Sequence, residues 1–271
     1  MADTKKNTSL AVMDNFQIVN RYEGMDPELM EQLQDEMEDL DAESGIVCRK
    51  IKIPSGGAPT YVVEGEDEGQ TDCMQEITGV IVFTHRLNGY WPGAYGSDDN
   101  KTPVCSSIDG KNGLNTETGE IRSCATCPLN QYGTATDHKG NQAKGKACKN
   151  MRRLYLLMNG DPNIYLLTVP PTSIRDVNKQ LAKILTGGIP YTGLAINLKL
   201  TQAKNANGVA YSKVVISKSG LLPQATAEAV KVLRQELKVQ YKSMAVTSDD
   251  YTAPANTSLD IDPDDDDLPF N

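Results

Sequence analysis

The sequence has no long apolar segment. No run of about 18 apolar residues, the length of a membrane-spanning helix, occurs among its 271 residues. The opening residues MADTKKNTSLAVMDNF also lack the continuous apolar block of a secretion signal. We therefore expect a cytoplasmic protein that makes no membrane contact. Its 39% hydrophobic residues are enough to form a buried core.

Residues that usually carry catalysis are few or unpaired. The chain has 2 histidines, and the 10 acidic residues between positions 77 and 248 form no paired-carboxylate motif. No histidine or cysteine stands in a recognisable nucleophile arrangement. We therefore predict that the chain is not an enzyme. A nucleic-acid enzyme with a zinc or iron–sulfur insert is the alternative.

The charges are segregated along the chain. The net charge of −9 would by itself count against binding to nucleic acid. Positions 25–44 hold 9 acidic residues and positions 248–271 hold 8 aspartates, and neither stretch contains a lysine or arginine. Between 77 and 248, 21 lysines and arginines less 10 acidic residues give +11. The middle of the chain is therefore a basic domain between acidic ends.

Three parts follow from the charge pattern and the apolar periodicity. Residues 1–44 form an acidic segment with one short helix, in which Asp26 caps the first turn and Pro27 fits it. Residues 45–247 form the core, which includes a cysteine-rich insert at 88–150 and a C-terminal helix at 223–243. Residues 248–271 are predicted to be a disordered acidic tail.

The core is predicted to be mainly β-structure with helices. Apolar runs predict strands at 45–54, 59–65, 76–87, 151–159, 164–170, 191–202 and 209–218, with an acidic loop at 65–72. A helix at 172–186, capped by Ser173 with Asp176 three residues on, precedes the last two strands. From 77 to 218 the order is β-β-β-α-β-β, which is typical of the OB-fold, a five-stranded barrel that binds single-stranded nucleic acids or oligosaccharides. The insert falls in the first inter-strand loop of this barrel.

Four cysteines of the insert have the spacing of metal ligands. A C-x2-C pair places two thiolates on one turn, and one further cysteine on either side completes a tetrahedron. The insert has too little apolar content to fold around, and a bound metal would supply folding free energy. We predict a zinc site with the spacing Cys105-x18-Cys124-x2-Cys127-x20-Cys148.

Other interpretations of the cysteines stay open. An iron–sulfur cluster is the alternative cofactor, since the sequence CATCP also suits cluster ligation. A redox pair or scattered free thiols are the remaining ones, although a thioredoxin-like motif would need a βαβ context. His85 is a candidate to replace one cysteine ligand, and His138 is a less favoured one. Cys48 and Cys73 are interpreted as plain thiols.

Many aromatic residues of the basic domain lie close to positive charge in the sequence. Aromatic faces stack on unpaired bases while lysine and arginine neutralise phosphates, which together bind single strands with little sequence preference. The only tryptophan, Trp91, is either a stacking platform or a lid on the zinc module. The predicted single-strand contacts are Arg86, Tyr90, Trp91, Tyr95, Lys149, Arg152, Arg153, Tyr155, Tyr165, Lys199, Tyr211 and Lys213.

The chain ends in DDDDLPFN, which resembles the C-terminal peptide of bacterial single-stranded DNA-binding proteins. In that family an acidic stretch ends in an apolar tip that docks on replication and repair enzymes. The matching residues are Asp264, Asp265, Asp266, Asp267, Leu268, Pro269 and Phe270. Asn271 departs from the pattern, because it moves the terminal carboxylate one residue past Phe270.

The layout of a zinc loop inside an OB-like core, followed by an acidic tail, also resembles phage-type single-stranded DNA-binding proteins. The resemblance implies a protein that coats single-stranded DNA in replication or recombination, in the host cytoplasm if phage-encoded. It also implies self-association along the strand and a tail that recruits partner proteins. The tail would compete with DNA for the basic groove, so a chain shortened to about Ser248 should bind DNA at least as tightly. An adaptor that binds RNA or protein is the remaining alternative.

Overall fold

A computed structural model describes residues 10–19, 24–39, 47–92, 102–136, 141–205 and 208–250. The fold is mainly β-structure, with three helices, a mixed sheet of 11 strands and a separate two-stranded sheet. None of the helices described is long and apolar enough to cross a membrane. The predicted acidic tip at 264–270, Tyr95 and His138 lie outside the described residues.

The helices and strands follow the predicted order closely. The helices are α1 Pro27–Asp39, α2 Pro171–Thr186 and α3 Gln224–Gln240. The strands are β1 Cys48–Lys52, β2 Tyr61–Glu64, β3 Thr71–Met74, β4 Glu76–Tyr90, β5 Cys105–Ser107, β6 Asn112–Asn115, β7 Ile121–Ser123, β8 Ala135–Thr136, β9 Gln142–Ala143, β10 Lys149–Met158, β11 Ile164–Val169, β12 Leu194–Lys204 and β13 Ala210–Leu221. The exposed strand β3 was not predicted, because it begins inside the acidic loop at 65–72 and lacks alternating apolar residues.

The large sheet is organised around β4. Its order from one edge is β3-β2-β1-β11-β10-β4, and β4 pairs with β10 over most of its length. The other edge of β4 is shared, because its first residues pair with β12 and its last three pair with β5 of the insert. β12 in turn pairs with β13, and among the described ladders only β1 with β11 is parallel.

The predicted barrel is wrong, since the five strands form an open sheet. Closing it would require the two end strands, β11 and β13, to pair, and the described ladders include no such pair. β1 occupies the edge of β11 instead. At β13 the backbone N–H of Val214 donates to the Ser173 hydroxyl of α2 at 3.0 Å. The edge of β11 is therefore paired by another strand, and one backbone donor of the β13 edge is satisfied by a side chain.

The sheet carries a hydrophobic core on each face. On the α2 face, Leu154 and Leu156 of β10 pack with residues of α2 such as Val177 and Leu181. On the α3 face, Tyr155 and Leu157 pack with residues of α3 such as Val230 and Leu237. The alternation along β10 follows from the two-residue period of a strand. The side of the sheet on which a residue lies can therefore be assigned from its register.

The predicted helix caps gave one correct and one wrong result. Asp26 does cap α1, since its carboxylate accepts the N–H of Glu28 at 2.8 Å. Ser173 does not cap α2. The helix begins at Pro171, a residue suited to the first turn, and leaves Ser173 buried inside it. Asp176, the predicted partner of the cap, instead forms an ion pair with Lys213.

The segment between α3 and Asp250 is held on the α3 face by a buried ion pair, which we call the C-terminal latch. Arg153 of β10 donates to Asp250 through Nε at 2.9 Å and through a terminal nitrogen at 2.5 Å. It also donates to the carbonyls of Met244 and Ala245. Asp250 accepts a further bond from Thr168 at 2.7 Å. Asp250, which the sequence places in the acidic tail, is therefore a buried part of the fold.

Removing the carboxylate of the latch is expected to destabilise the protein strongly. In Asp250→Ala the Arg153 guanidinium would stay buried without its counter-charge, which costs about 3–5 kcal/mol of unfolding free energy. Urea unfolding measures this loss. Glu228→Ala, which breaks an exposed ion pair with Lys231, is the matched control and should cost less than about 1 kcal/mol.

Equal losses in the two variants would contradict a structural role for the latch. The latch also affects any truncation of the acidic tail. A chain that ends at Ser248 would lack Asp250, so its binding would report damage to the fold as well as loss of acid. A chain that ends at Asp250 separates the two effects.

Candidate nucleic-acid interface and cysteine cluster

The insert between β4 and β10 has almost no hydrophobic core. It consists of short strands, β5 to β9, and joins the main sheet where Tyr90 pairs with Cys105 and Asn88 with Ser107. Among its described residues, 102–136 and 141–148, no leucine, isoleucine, valine, methionine or phenylalanine is buried. The buried residues are Pro103, Ser107, Gly113, Cys124, Ala135, Gly145 and Cys148. Burial of apolar side chains therefore cannot be what holds this segment together.

The four insert cysteines lie on separate turns and strands. Cys105 lies on β5, Cys124 follows β7, Cys127 precedes a short 3₁₀ turn, and Cys148 precedes β10. The backbone N–H of Cys124 donates to the Lys111 carbonyl at 2.7 Å, and that of Cys148 donates to the Leu129 carbonyl at 2.8 Å. These two bonds fix the backbone positions of Cys124 and Cys148.

Gly113 shows how closely two of the sulfurs approach. A Cβ at this position would lie 3.0 Å from the sulfur of Cys105 and 3.6 Å from that of Cys124. Any larger residue would therefore push into the space between the two sulfurs. The glycine leaves this space open at the centre of the insert.

Electrostatic interactions link Cys105 and Cys148 to the other cysteines of the insert. Burial, and after it the charges of Cys124, Cys105 and Cys127, raise the pKa of Cys148 to about 12. Burial also raises the pKa of Cys105, followed by the charges of Cys124 and Cys127. We call these residues the cysteine cluster. A bound cation would reverse their mutual repulsion, because metal ligation deprotonates thiols.

The cluster is not arranged as a finished metal site. Within the described ranges, no group of three or more His, Cys, Asp or Glu side chains is placed to hold a metal ion. The residues nevertheless fit a thiophilic metal by type, by number and by their position in a segment with no other core. Cys73 on β3 is exposed and Cys48 on β1 is half-buried, and both lie outside the insert.

His85 does not belong to the cysteine cluster. Its ring lies on the α3 face, within hydrogen-bond distance of the Tyr155 hydroxyl at 3.2 Å and of the Arg86 carbonyl at 2.9 Å. It packs between Phe83 and Tyr241, with ring centroids 5.7 and 4.7 Å away. Burial lowers its pKa to about 4. The proposal of His85 as a substitute metal ligand is therefore wrong, since strand alternation places Cys105 with the opposite face of β4.

Four of the six predicted basic contacts are satisfied within the protein. Arg153 is buried in the C-terminal latch, where it cannot reach a ligand. Lys199 pairs with Glu76 at 2.7 Å, and Lys213 pairs with Asp176. Lys149 donates to the Lys146 carbonyl at 3.3 Å, and burial lowers its pKa. Proximity in sequence to aromatic residues therefore does not identify which bases are available.

Arg86 and Arg152 differ from the other four bases. They are direct neighbours on β4 and β10 and lie on the α2 face of the sheet. Arg152 donates to Asn178 of α2 at 2.7 Å and to Thr84 at 3.1 Å, and both acceptors are neutral. Burial lowers the pKa of Arg152 to about 10, and the charge of Arg86 adds to this shift. Among the described residues neither arginine forms an ion pair.

The neighbouring positions continue the same polar face. Asn88 pairs with Asn150 two residues further along the ladder, and Tyr90 lies two residues beyond Asn88 on the same face of the sheet. We call this surface the arginine face. It comprises Thr84, Arg86, Asn88, Tyr90, Asn150 and Arg152. Thr84, Asn88, Asn150 and Asn178 were not predicted as site residues. The period-two spacing of Thr84, Arg86, Asn88 and Tyr90 indicates a shared face of one strand.

The predicted aromatic contacts are dispersed. Tyr155 and Tyr165 are buried at 0% and 4% exposure, so neither offers its ring to a base. Trp91 packs beside Leu87 and Val246, in a small cluster on the α3 face. Tyr90 lies on the arginine face. Tyr211 lines a small cleft at the open seam between β11 and β13.

The chain has no match among the known proteins with which it was compared. Comparison with protein-family models, with curated proteins and with solved structures finds no match in any of the three. No function, cofactor or partner is therefore supplied by similarity, and the interpretation depends on the arginine face and the cysteine cluster.

His85 is expected to make the protein sensitive to acid. Its pKa is about 4 when folded and about 6.5 when unfolded, so the unfolded chain binds the extra proton between these values. The stability it contributes is present above about pH 6.5 and is lost as the pH falls toward 4. In His85→Gln, the unfolding free energy should fall less steeply over this range, by up to about 1.4 kcal/mol per pH unit. Denaturant unfolding at a series of pH values measures both slopes, and identical slopes would contradict a buried neutral His85.

Proposed function

We propose that the chain binds single-stranded nucleic acid without catalysing a reaction, as a protein that coats exposed DNA in replication or recombination. The observation that carries this proposal is the pairing of the five central strands. β4 pairs with β10, β10 with β11, β12 with β13, and β12 with β4, with α2 between β11 and β12. These four pairings resemble those of the OB arrangement without its closing pair, and that arrangement binds single strands through its strand faces and loops.

The charge distribution supports the same proposal. The +11 between positions 77 and 248 is spread over this sheet, its insert and helices α2 and α3, and a basic surface neutralises backbone phosphates without reading sequence. Tyr90 and Tyr211 are half-exposed and offer rings on which bases stack. The exposed Arg86 supplies charge beside Tyr90.

A metal ion in the insert is part of the proposal. One zinc ion held by the thiolates of Cys105, Cys124, Cys127 and Cys148 would replace the missing hydrophobic core of this segment. An iron–sulfur cluster is the alternative occupant of the same four ligands. Because Cys105 pairs with Tyr90 and Cys148 precedes β10, the bound metal would also fix the end of the arginine face.

The acidic C-terminal residues are proposed to recruit partner proteins and to compete with DNA. The described chain ends at Asp250, which is bonded to Arg153, the residue next to Arg152 in β10. Residues 260–267 contain six aspartates and no base. Competition by this acid for the arginine face would weaken non-specific binding until DNA or a partner displaces it. Self-association along the strand stays a prediction.

Single strands are expected to bind at least about tenfold more tightly than duplexes of equal length, since only unpaired bases stack on tyrosine rings. The logarithm of the binding constant should fall with the logarithm of the salt concentration by about 0.7 per phosphate contacted. Fluorescence anisotropy with labelled oligo-dT and duplex, at several salt concentrations, measures both quantities.

The proposal would be lost if duplex bound as tightly as oligo-dT at moderate salt. A chain that ends at Asp250 is the matched comparison, because it keeps the C-terminal latch and loses the acidic tail. It should bind oligo-dT at least as tightly as the full chain. Weaker binding would exclude competition by the tail and leave the single-strand preference to be judged separately.

Purified protein is expected to contain about one zinc ion per chain, because four thiolates complete its tetrahedral coordination. Cys148→Ser should lose this zinc and the hydrogen-exchange protection of residues 102–148. The rest of the sheet should stay folded, since neither of its two large cores contains an insert residue. Elemental analysis and hydrogen exchange measure the two effects.

Cys73→Ser is the control, because Cys73 is exposed on β3 and lies outside the cluster. It should keep the full zinc content. If the purified protein is brown and contains iron, the cofactor is an iron–sulfur cluster and not zinc. A metal-free wild-type protein with a fully protected insert would contradict any metal site.

A further inference from the structure

We propose that Arg86 and Arg152 together form a discrete binding site for one phosphate group, taken from the backbone of a nucleic-acid strand. The choice of nucleic acid rests on the proposed function. The site itself rests on the positions and partners of the two arginines. Within the broad basic surface, these two arginines are the point at which one phosphate would bind.

The two arginines are placed against each other by the strand register. Directly opposed residues on antiparallel strands have Cβ atoms about 4.5–5.5 Å apart, and like charges in such positions are destabilising. Arg86 and Arg152 occupy such a pair. Their repulsion is seen in Arg152, whose pKa is lowered to about 10 first by burial and then by the charge of Arg86. An anion between them would remove the repulsion.

The protein supplies orientation to this pair without neutralising it. Asn178 and Thr84 accept from Nε and one terminal nitrogen of Arg152, and neither carries a charge. A guanidinium has five N–H donors, so most of the donors of Arg152 remain for a ligand. Fixed, charged and incompletely bonded donors are what a bidentate phosphate contact requires.

The insert packs on the side chain of Arg86. A Cβ at Gly110 would lie 2.8 Å from the Cβ of Arg86, so the turn that contains Gly110 rests on the arginine stem. Asp109 precedes Gly110 in this turn, and its carboxylate is bonded within the turn. It accepts from the Ser107 hydroxyl at 2.9 Å and from the N–H groups of Lys111 and Asn112. The turn therefore contacts the stem of Arg86, and among the described ion pairs Asp109 has none with Arg86.

Two guanidinium groups favour a phosphate over a single carboxylate. A phosphodiester presents two non-bridging oxygens, and each can accept from a different arginine. Tyr90 lies on the same face, four residues along β4 from Arg86, at a distance of about 13 Å between backbone positions. Asn88 between them is buried and donates to the Gly110 carbonyl, so a strand that places a phosphate between the arginines would cross this turn to bring a base to the Tyr90 ring.

The main test compares two variants with the same change of charge. Arg86→Gln combined with Arg152→Gln removes the site. Lys218→Gln combined with Lys238→Gln removes two exposed bases elsewhere. Oligo-dT affinity at moderate salt should fall about 10- to 100-fold in the first variant, with the salt slope reduced by about 0.7 or more. The second variant should lose less than about threefold, because diffuse charge contributes little at this salt.

Arg86→Gln alone guards against a folding artefact, because the Arg86 side chain is exposed. It should weaken oligo-dT binding by about fivefold or more and leave the melting temperature equal to or above that of the wild type. The second effect follows because it relieves the repulsion with Arg152. A lower melting temperature with unchanged oligo-dT affinity would overturn the site.

Inorganic phosphate distinguishes the site from the proposed function. Titration with phosphate, against chloride at equal ionic strength, should give a saturable NMR shift of the Arg152 Nε–H that is absent in Arg86→Gln. Oligo-dT binding that is equal in the wild type and both double variants would refute the site and leave single-strand binding intact. A saturable phosphate shift without any oligo-dT binding would support the site and refute the proposed function.

Discussion

The pairing of β4 with β10 is the constraint on which the rest of the structure depends. Its register, from Gly79 opposite Met158 to Gly89 opposite Lys149, decides which side of the sheet every neighbouring residue faces. A slip by one residue would exchange the two faces. Arg86 would then no longer lie opposite Arg152, and Arg153 would lose its access to Asp250. The same pairing also fixes the two points between which the insert must close.

Adjacent residues of β10 serve opposite purposes because of this alternation. Arg153 is enclosed and fully neutralised, so its charge contributes to stability through the C-terminal latch. Arg152 points to the other face, where only Asn178 and Thr84 bond to it. Arg153 is buried beside an acid, whereas Arg152 is half-buried beside another arginine. The two side chains therefore lie in different electrostatic environments. The pairing of Arg152 with Arg86 lowers the stability of the fold, and destabilising arrangements of this kind are usually found where a ligand binds.

Local periodicity in the sequence was enough to predict most helices and strands, whereas the metal site inferred from the cysteine spacing stays a prediction. Properties that depend on distant partners were not predictable. Closure of the barrel failed because β1, far away in sequence, occupies the edge of β11. The roles of Arg152 and Arg153 could not be separated, because the partner of Arg153 lies 97 residues away. Ser173 was misassigned because Pro171 starts the helix earlier.

The C-terminal latch also determines how the protein would respond to dilution. Asp250, the last described residue, bonds to the strand that carries Arg152 on its other face. A competitor tethered at that point acts at an effective concentration set by the length of its tether, not by the amount of protein present. Self-inhibition by residues 260–267 would therefore be the same in a dilute and in a concentrated solution, whereas inhibition between separate chains would vanish on dilution.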